Sequence, residues 1–182
     1  MIETRKDEIW VFAYGSLMWR PDFEYVESEP ALLRGYHRAF CIYSHIYRGS
    51  PKNPGLVLGL DNGGSCVGRA FRLDPDAARD ILAAIHAREM IYHVYVARRL
   101  PISLMRGRGA PRVMAHTYTA DRAGPQYSGK LEPDIMINLI RNGRGTAGEA
   151  RDYLANTVHH LRQLGLKDTG LAALLREVDA DD

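Results

Sequence analysis

Gly55-Leu-Val-Leu-Gly-Leu-Asp-Asn-Gly-Gly-Ser-Cys-Val-Gly-Arg-Ala-Phe-Arg-Leu73, followed by Asp74-Pro75, is the stretch on which the fold class turns. Asp61-Asn62-Gly63-Gly64 is the strongest hairpin signal in the chain, so the stretch predicts two strands, Gly55 to Leu60 and Ser65 to Leu73, joined by a tight turn. That reads as antiparallel sheet. Asp74-Pro75 then supplies an N-cap and a first-turn proline. Ala78, Ile81, Leu82 and Ile85 recur at helical spacing, predicting a helix from residue 75 to about 88.

Towards the N-terminus, residues 45–55 are turn-rich, with Tyr47-Arg48-Gly49-Ser50-Pro51 and Asn53-Pro54-Gly55. An arginine on such a loop either faces solvent or clamps a carboxylate. Ala31 to Ser44 mixes apolar and aromatic residues with Arg34, His37 and Arg38, as a strand or strand pair with one wet face does. Val11-Phe12-Ala13-Tyr14 suits a short buried strand, broken at Gly15-Ser16 where the backbone turns sharply. Towards the C-terminus, Tyr92 to Leu100 and Arg112 to Thr119 read as strands around an Arg/Gly loop at 106–111. Pro133 opens a helix carrying Ile135, Met136, Leu139 and Ile140, and Thr146-Ala147-Gly148-Glu149 reads as a capping box for a longer one. The longer helix has an apolar stripe of Ala150, Tyr153, Leu154, Thr157, Val158, Leu161 and Leu164. Leu171, Leu174, Leu175 and Val178 mark a last short helix before an acidic tail expected to fray. Strands early, one helix interposed and helices late predict an α+β fold rather than alternating βαβ units.

Composition narrows the function. The 182 residues, 46% hydrophobic, suffice for one core and argue for one domain over 1–182. Twenty-four basic and 22 acidic residues give +2 with His neutral, too weak a field to imply nucleic acid or membrane, and a small soluble ligand is expected instead. The Arg/Gly loop lacks the aromatic platform that single-stranded nucleic acid needs. The N-terminal residues carry charges of both signs without a signal-peptide core, and no apolar run approaches spanning length, so a cytosolic protein is expected. Cys41 and Cys66 have no metal or disulfide spacing and are expected as buried free thiols.

Candidate chemistry is sparse. Tyr14-Gly15-Ser16 is either a strand end followed by a loop or a concavity whose free amides seat a carboxylate or oxyanion. Ser16 is not in a nucleophile-elbow pattern and lacks assignable partners. His86, Glu89 and His93 have spacing for a helical metal site, but strand-like alternation from Tyr92 makes their side chains diverge; no metal and no cofactor are expected. Glu89 falls on the inward face of the predicted helix, where its carboxylate either pairs with Arg88, Arg98 or Arg99 or acts as an acid/base.

Val11 to Phe23, with Tyr14-Gly15-Ser16-Leu17 and Trp19-Arg20-Pro21-Asp22-Phe23, resembles the opening of the ChaC-type γ-glutamylcyclotransferases. Arg34-Gly35-Tyr36 with Arg38, Arg48-Gly49-Ser50 with Pro54-Gly55, Arg88-Glu89 and Tyr127-Ser128-Gly129 follow in that family's order and at roughly its spacings. The resemblance implies a small mixed, partly closed β-barrel flanked by helices, with a helical C-terminal third. It implies Glu89 as the catalytic acid/base, and Val11, Phe12, Ala13, Tyr14, Gly15, Ser16, Leu17, Arg48 and Tyr127 as substrate contacts. The implied substrate is glutathione or another γ-glutamyl amine, cyclised to 5-oxoproline; a non-enzymatic binding or transport-regulating module is the other reading, against which Glu89 stands. One departure is visible. The family follows its Arg-Glu pair with a short glycine-containing segment ending in tyrosine, whereas this chain has Met90-Ile91-Tyr92-His93-Val94 before Tyr95.

Overall fold

The computed structural model describes residues 8–106, 109 and 111–180. Residues 1–7, Gly107, Arg108 and Ala110 of the Arg/Gly loop and the last two residues of the acidic tail lie outside that set. The chain divides into two units, one comprising the described residues through Arg38 together with Leu60–Asp121, the other Ala39–Gly59 with the described residues from Arg122 on.

Five strands close a barrel in the order β1 (Ile9–Ala13), β3 (Gly55–Leu73), β2 (Glu27–Ser44), β4 (Tyr95–Leu104) and β5 (Arg112–Ala120). The sheet is mixed: β1 runs antiparallel to β3, with Phe12 opposite Ala70, and parallel to β5, with Val11 opposite His116. β2 pairs antiparallel with β4 through Leu32 and Ser103, and β4 with β5 from Tyr95–Ala120 to Ser103–Arg112. Strand alternation supplies the core of the first unit: Trp10, Phe12, Phe71, Leu73, Ile102, Leu104 and Ala115 are buried. The expected α+β class and mixed barrel are thus present.

The expected hairpin at Asp61-Asn62-Gly63-Gly64 is not. These residues lie inside one continuous strand, β3. Gly63 and Gly64 do adopt positive φ, 96° and 69°, but they bend the strand rather than reverse it. β1 and β2 flank β3 and take the hydrogen bonds that its two halves would otherwise make to each other.

Helix α1 spans Ala78–Glu89. Asp74 is not its cap: Asp74 Oδ1 accepts from the Asp76 amide at 3.0 Å, making a turn ahead of the helix, which starts after Ala77. Ala78 and Ile85 of the predicted stripe are buried.

In the second unit Pro133 occupies the first turn of α2 (Pro133–Asn142), as expected. A two-residue ladder, β6 (Arg144–Gly145) with β7 (Gly148–Glu149), precedes α3 (Ala150–Gln163), and α4 (Thr169–Asp179) follows. The predicted capping box does not form. The Thr146 hydroxyl donates to the Ile46 carbonyl at 3.2 Å and the Glu149 carboxylate pairs with Arg144 at 3.0 Å, so both side chains of the box are engaged elsewhere. Of the α3 stripe, Ala150, Leu154, Thr157, Val158 and Leu161 are buried, with Leu171 and Val178 from α4. Cys41 and Cys66 are buried and joined in no disulfide, as expected.

Candidate active site

β1 delivers the Tyr14-Gly15-Ser16 turn from a fixed base. Val11, Phe12 and Ala13 are each about 1% exposed, so their side chains belong to the core and their backbone to the ladders with β3 and β5. The Thr117 hydroxyl donates to the Phe12 carbonyl at 2.9 Å. After Ala13 the chain enters a 3-10 turn, Ser16–Met18, in which the Met18 amide donates to the Gly15 carbonyl at 2.9 Å. The Ser16 and Leu17 amides stand ahead of that first bond and have no acceptor within the turn. Arg38 braces the turn, its Nε donating to the Tyr14 carbonyl at 2.6 Å and its Nη2 to the Val67 carbonyl at 2.8 Å.

Glu89 is the last residue of α1, and its side chain is 17% exposed. Arg88 Nε lies 3.6 Å from its Oε1, while Arg98 and Arg99, the other expected partners, are exposed on β4. A charge pair near 4 Å is worth about 4 kcal/mol at an effective dielectric of 20, and much less when the cation is wet. Arg88 is 34% exposed and has three further acceptors, so burial prevails and pushes the Glu89 carboxyl above its ordinary value, with Arg88 pulling the other way. Tyr118, buried on β5, senses the same group: its phenol is pushed up to about 12, first by burial and then by the Glu89 charge. An uplifted carboxyl joined through Arg88 to a turn whose first amides have no acceptor within it is equipped to move a proton for a ligand held at that turn.

α1 stops at Glu89, and the turn beyond it is closed by the His93 amide donating to the Met90 carbonyl at 3.2 Å. His93 itself has φ of 52°, off the helical path that His86 and Glu89 share. Among the described residues no group of three or more His, Cys, Asp or Glu side chains is placed to hold a metal.

Arg48 and Tyr127 belong to the second unit. The Arg48 guanidinium turns onto its own surroundings, donating to the Glu149 carbonyl at 3.4 Å and lying 5.3 Å from the Tyr153 ring centroid. Tyr127 bridges to Ile42, and its hydroxyl accepts from Arg122 Nε at 3.1 Å. Within the first unit the structure brings together Tyr14, Gly15, Ser16, Leu17 and Glu89.

Sequence reasoning assigned no role to Arg38, Asp22 or Tyr118 and considered Arg88 only as an ion-pair partner. Arg38 and Asp22 stand inside the family-like blocks, which was the available signal; Tyr118 stands in an alternating strand and had none.

A family model described as "ChaC-like protein" matches residues 9–181. The glutathione-specific γ-glutamylcyclotransferase of Escherichia coli K12 is 36% identical over 179 residues, 97% of this chain and 76% of that protein. Human glutathione-specific γ-glutamylcyclotransferase 1 is 30% identical over 174 residues, 93% of this chain and 78% of that one. The crystal structure of a yeast γ-glutamyl cyclotransferase specific to glutathione superposes with a TM-score of 0.84 at 22% identity, covering 95% of this chain and 96% of the other; it shares the fold. Among the described residues no helix is long and apolar enough to cross a membrane. On the matched span and these identities, the chain belongs to the ChaC-like family.

Proposed function

We propose that this protein is a γ-glutamylcyclotransferase acting on glutathione in the cytoplasm, releasing 5-oxoproline and Cys-Gly. The observation that carries the reading is the Glu89 carboxyl, largely buried, uplifted, and tied through Arg88 to the Ser16 turn. The names of the E. coli and human relatives support the substrate class.

The chemistry asks little of the protein. The α-amine of the γ-glutamyl group attacks its own γ-carbonyl carbon, forming the lactam C–N bond, and the amide C–N bond to the departing amine breaks. The reaction is intramolecular, so no enzyme nucleophile, metal or cofactor is required. The α-ammonium first gives up one proton to become the free amine; Glu89 then accepts the second proton, which the attacking nitrogen sheds as the lactam forms, and delivers it to the departing nitrogen, which leaves as a neutral amine. The Ser16 and Leu17 amides, with the Ser16 hydroxyl, orient the glutamyl head and stabilise the oxyanion.

A second reading, a cyclotransferase for another γ-glutamyl amine, is favoured by the segment after Glu89. Ile91 and Tyr92 are exposed there, 53% and 37%, where the family pattern has a glycine-containing stretch. Incubating the protein with glutathione, γ-glutamylcysteine, γ-glutamylalanine and a γ-glutamyl amine, and following 5-oxoproline by mass spectrometry, separates the two. Turnover of glutathione supports the first reading, turnover of only a simpler compound supports the second, and no 5-oxoproline from any of them overturns both.

A further inference from the structure

One side chain in the first unit reaches both the Ser16 turn and the Glu89 carboxylate. Arg88 Nη2 donates to Ser16 Oγ at 3.2 Å; its Nη1 donates to the Arg20 carbonyl at 3.1 Å and to Asp22 Oδ2 at 2.9 Å; its Nε lies 3.6 Å from Glu89 Oε1. Ser16, Arg20 and Asp22 belong to the chain just after β1, and Glu89 closes α1. We propose that Arg88 is a positioning residue that locks the Ser16 turn against the end of α1, fixing the distance from the amides that hold the substrate to the carboxylate that moves its proton. This rests on the reading of Glu89 as the acid/base.

The planar fork of a guanidinium suits the task, because three nitrogens at set angles address the segment after β1 and the end of α1 at once; an ammonium offers the charge without the fork. The contact also assigns Ser16 its polarity. A hydroxyl that accepts from a guanidinium keeps its own hydrogen for another acceptor, so Ser16 is able to serve the ligand as a donor. Asp22 holds the far side of the fork. It is exposed and adopts φ of 55°, a left-handed conformation that aspartate tolerates better than most residues, placing its carboxylate on Arg88.

Among the described residues, the charged or titratable groups that bear on Glu89 are Arg88 from α1, which favours the carboxylate, and Tyr118 from β5, whose phenol is held neutral. Removing Arg88 therefore raises the pH at which Glu89 ionises, and removing its fork loosens the Ser16 turn.

The test compares wild type with Arg88→Ala, Arg88→Lys and Asp22→Ala, measuring kcat and KM for glutathione across pH, thermal unfolding, and the Glu89 side-chain carboxyl titration by NMR. Arg88→Ala should lose roughly ten- to a hundredfold in kcat/KM, with the rising limb of the profile and the NMR midpoint both moved to higher pH. Arg88→Lys should restore the midpoint towards wild type while kcat/KM stays depressed. Asp22→Ala should lose severalfold in kcat/KM with only a small fall in melting temperature, since alanine tolerates the left-handed φ less well than aspartate. Wild-type kcat/KM and midpoint in Arg88→Ala overturn the proposal, as does full recovery of kcat/KM in Arg88→Lys. Should Arg88→Ala fail to fold, the lysine and Asp22 variants carry the same comparison. A wild-type protein that makes no 5-oxoproline refutes the functional reading itself, while the NMR titration still reports whether Arg88 controls the Glu89 carboxyl.

Discussion

Glu89→Gln separates what the carboxyl does for activity from what it costs the fold. The side chain is 17% exposed, and burial outweighs the opposing Arg88 charge, so the carboxyl ionises at higher pH in the folded chain than in the unfolded one. For an acid shifted in that direction the stability contribution is fully present below the unfolded value, near 4.3 for glutamate, and is lost as pH rises through the folded value. At neutral pH the wild type thus bears a poorly solvated carboxylate, and the neutral, isosteric amide does not. The variant should gain about 0.5–2 kcal/mol there, the range for relief of a functionally strained position, or roughly 1–8 °C in Tm for a chain of this length. At about pH 4 both side chains are neutral and the gap should close. Turnover should move oppositely, falling by about 10²-fold or more with the proton carrier gone. Paired thermal melts at pH 7.5 and 4, alongside 5-oxoproline release, read both effects. A fully active glutamine variant refutes the acid/base role, and a variant less stable than wild type at pH 7.5 refutes the claim that desolvation dominates over Arg88.

Gly68→Ala places a Cβ 2.7 Å from Phe12 Cζ and closer still to the Ala13 carbonyl oxygen, under the strand that carries the turn, and should cost about 3 kcal/mol or more; a melting temperature within 2 °C of wild type, roughly 1 kcal/mol or less, contradicts the packing described for β1. Glu27 and Glu29, two residues apart on β2, should titrate stability in opposite senses. The Arg72 hydrogen bond holds Glu27 below its ordinary value, so Glu27→Gln weakens the fold at neutral pH and not at acid pH. Both Glu29 oxygens are buried without a hydrogen bond and burial pushes that carboxyl up, so Glu29→Gln should help at neutral pH and be neutral in acid; equal pH profiles for the two variants refute this. Arg48→Ala removes a half-buried guanidinium from the Glu149 carbonyl and the Tyr153 ring and should cost about 1–3 kcal/mol by denaturant titration, an unchanged midpoint counting against a structural role.

What was legible in the sequence divides by range. The stripes Ala78–Ile85 and Ala150–Leu161 repeat at 3.6 residues, and a buried helix face needs no other information. The turn signal at Gly63-Gly64 was real, since both glycines take positive φ, but whether such a bend reverses a strand depends on which neighbours claim its hydrogen bonds, and the flanking of β3 by β1 and β2 is not written in the local residues. The same holds for Thr146 and Glu149, whose side chains found Ile46 and Arg144 in place of each other. Glu89 could be placed on an inward face from spacing alone. Its connection to Ser16 could not, because Arg88 spans 72 residues to make it.

Two arginines of the first unit, Arg38 and Arg88, bear on how so short a turn could serve as the proposed binding element. A 3-10 turn of three residues has little rigidity of its own, and an oxyanion donor stabilises charge only if its position is set before the charge develops. Arg38 holds the Tyr14 carbonyl from one side, and Arg88 holds the Ser16 hydroxyl and Arg20 carbonyl from the other. Both guanidiniums bind acceptors, so neither competes for the Ser16 and Leu17 donors. Each also places a positive charge within a few ångströms of the turn, which favours a carboxylate or oxyanion at those amides over a neutral ligand. The same Arg88 charge restrains the rise that burial imposes on Glu89. Both the placement of the turn and the balance of effects on the Glu89 carboxyl therefore trace to one guanidinium, and exchanging Arg88 perturbs both together, whereas exchanging Arg38 releases the Tyr14 and Val67 carbonyls without touching Glu89.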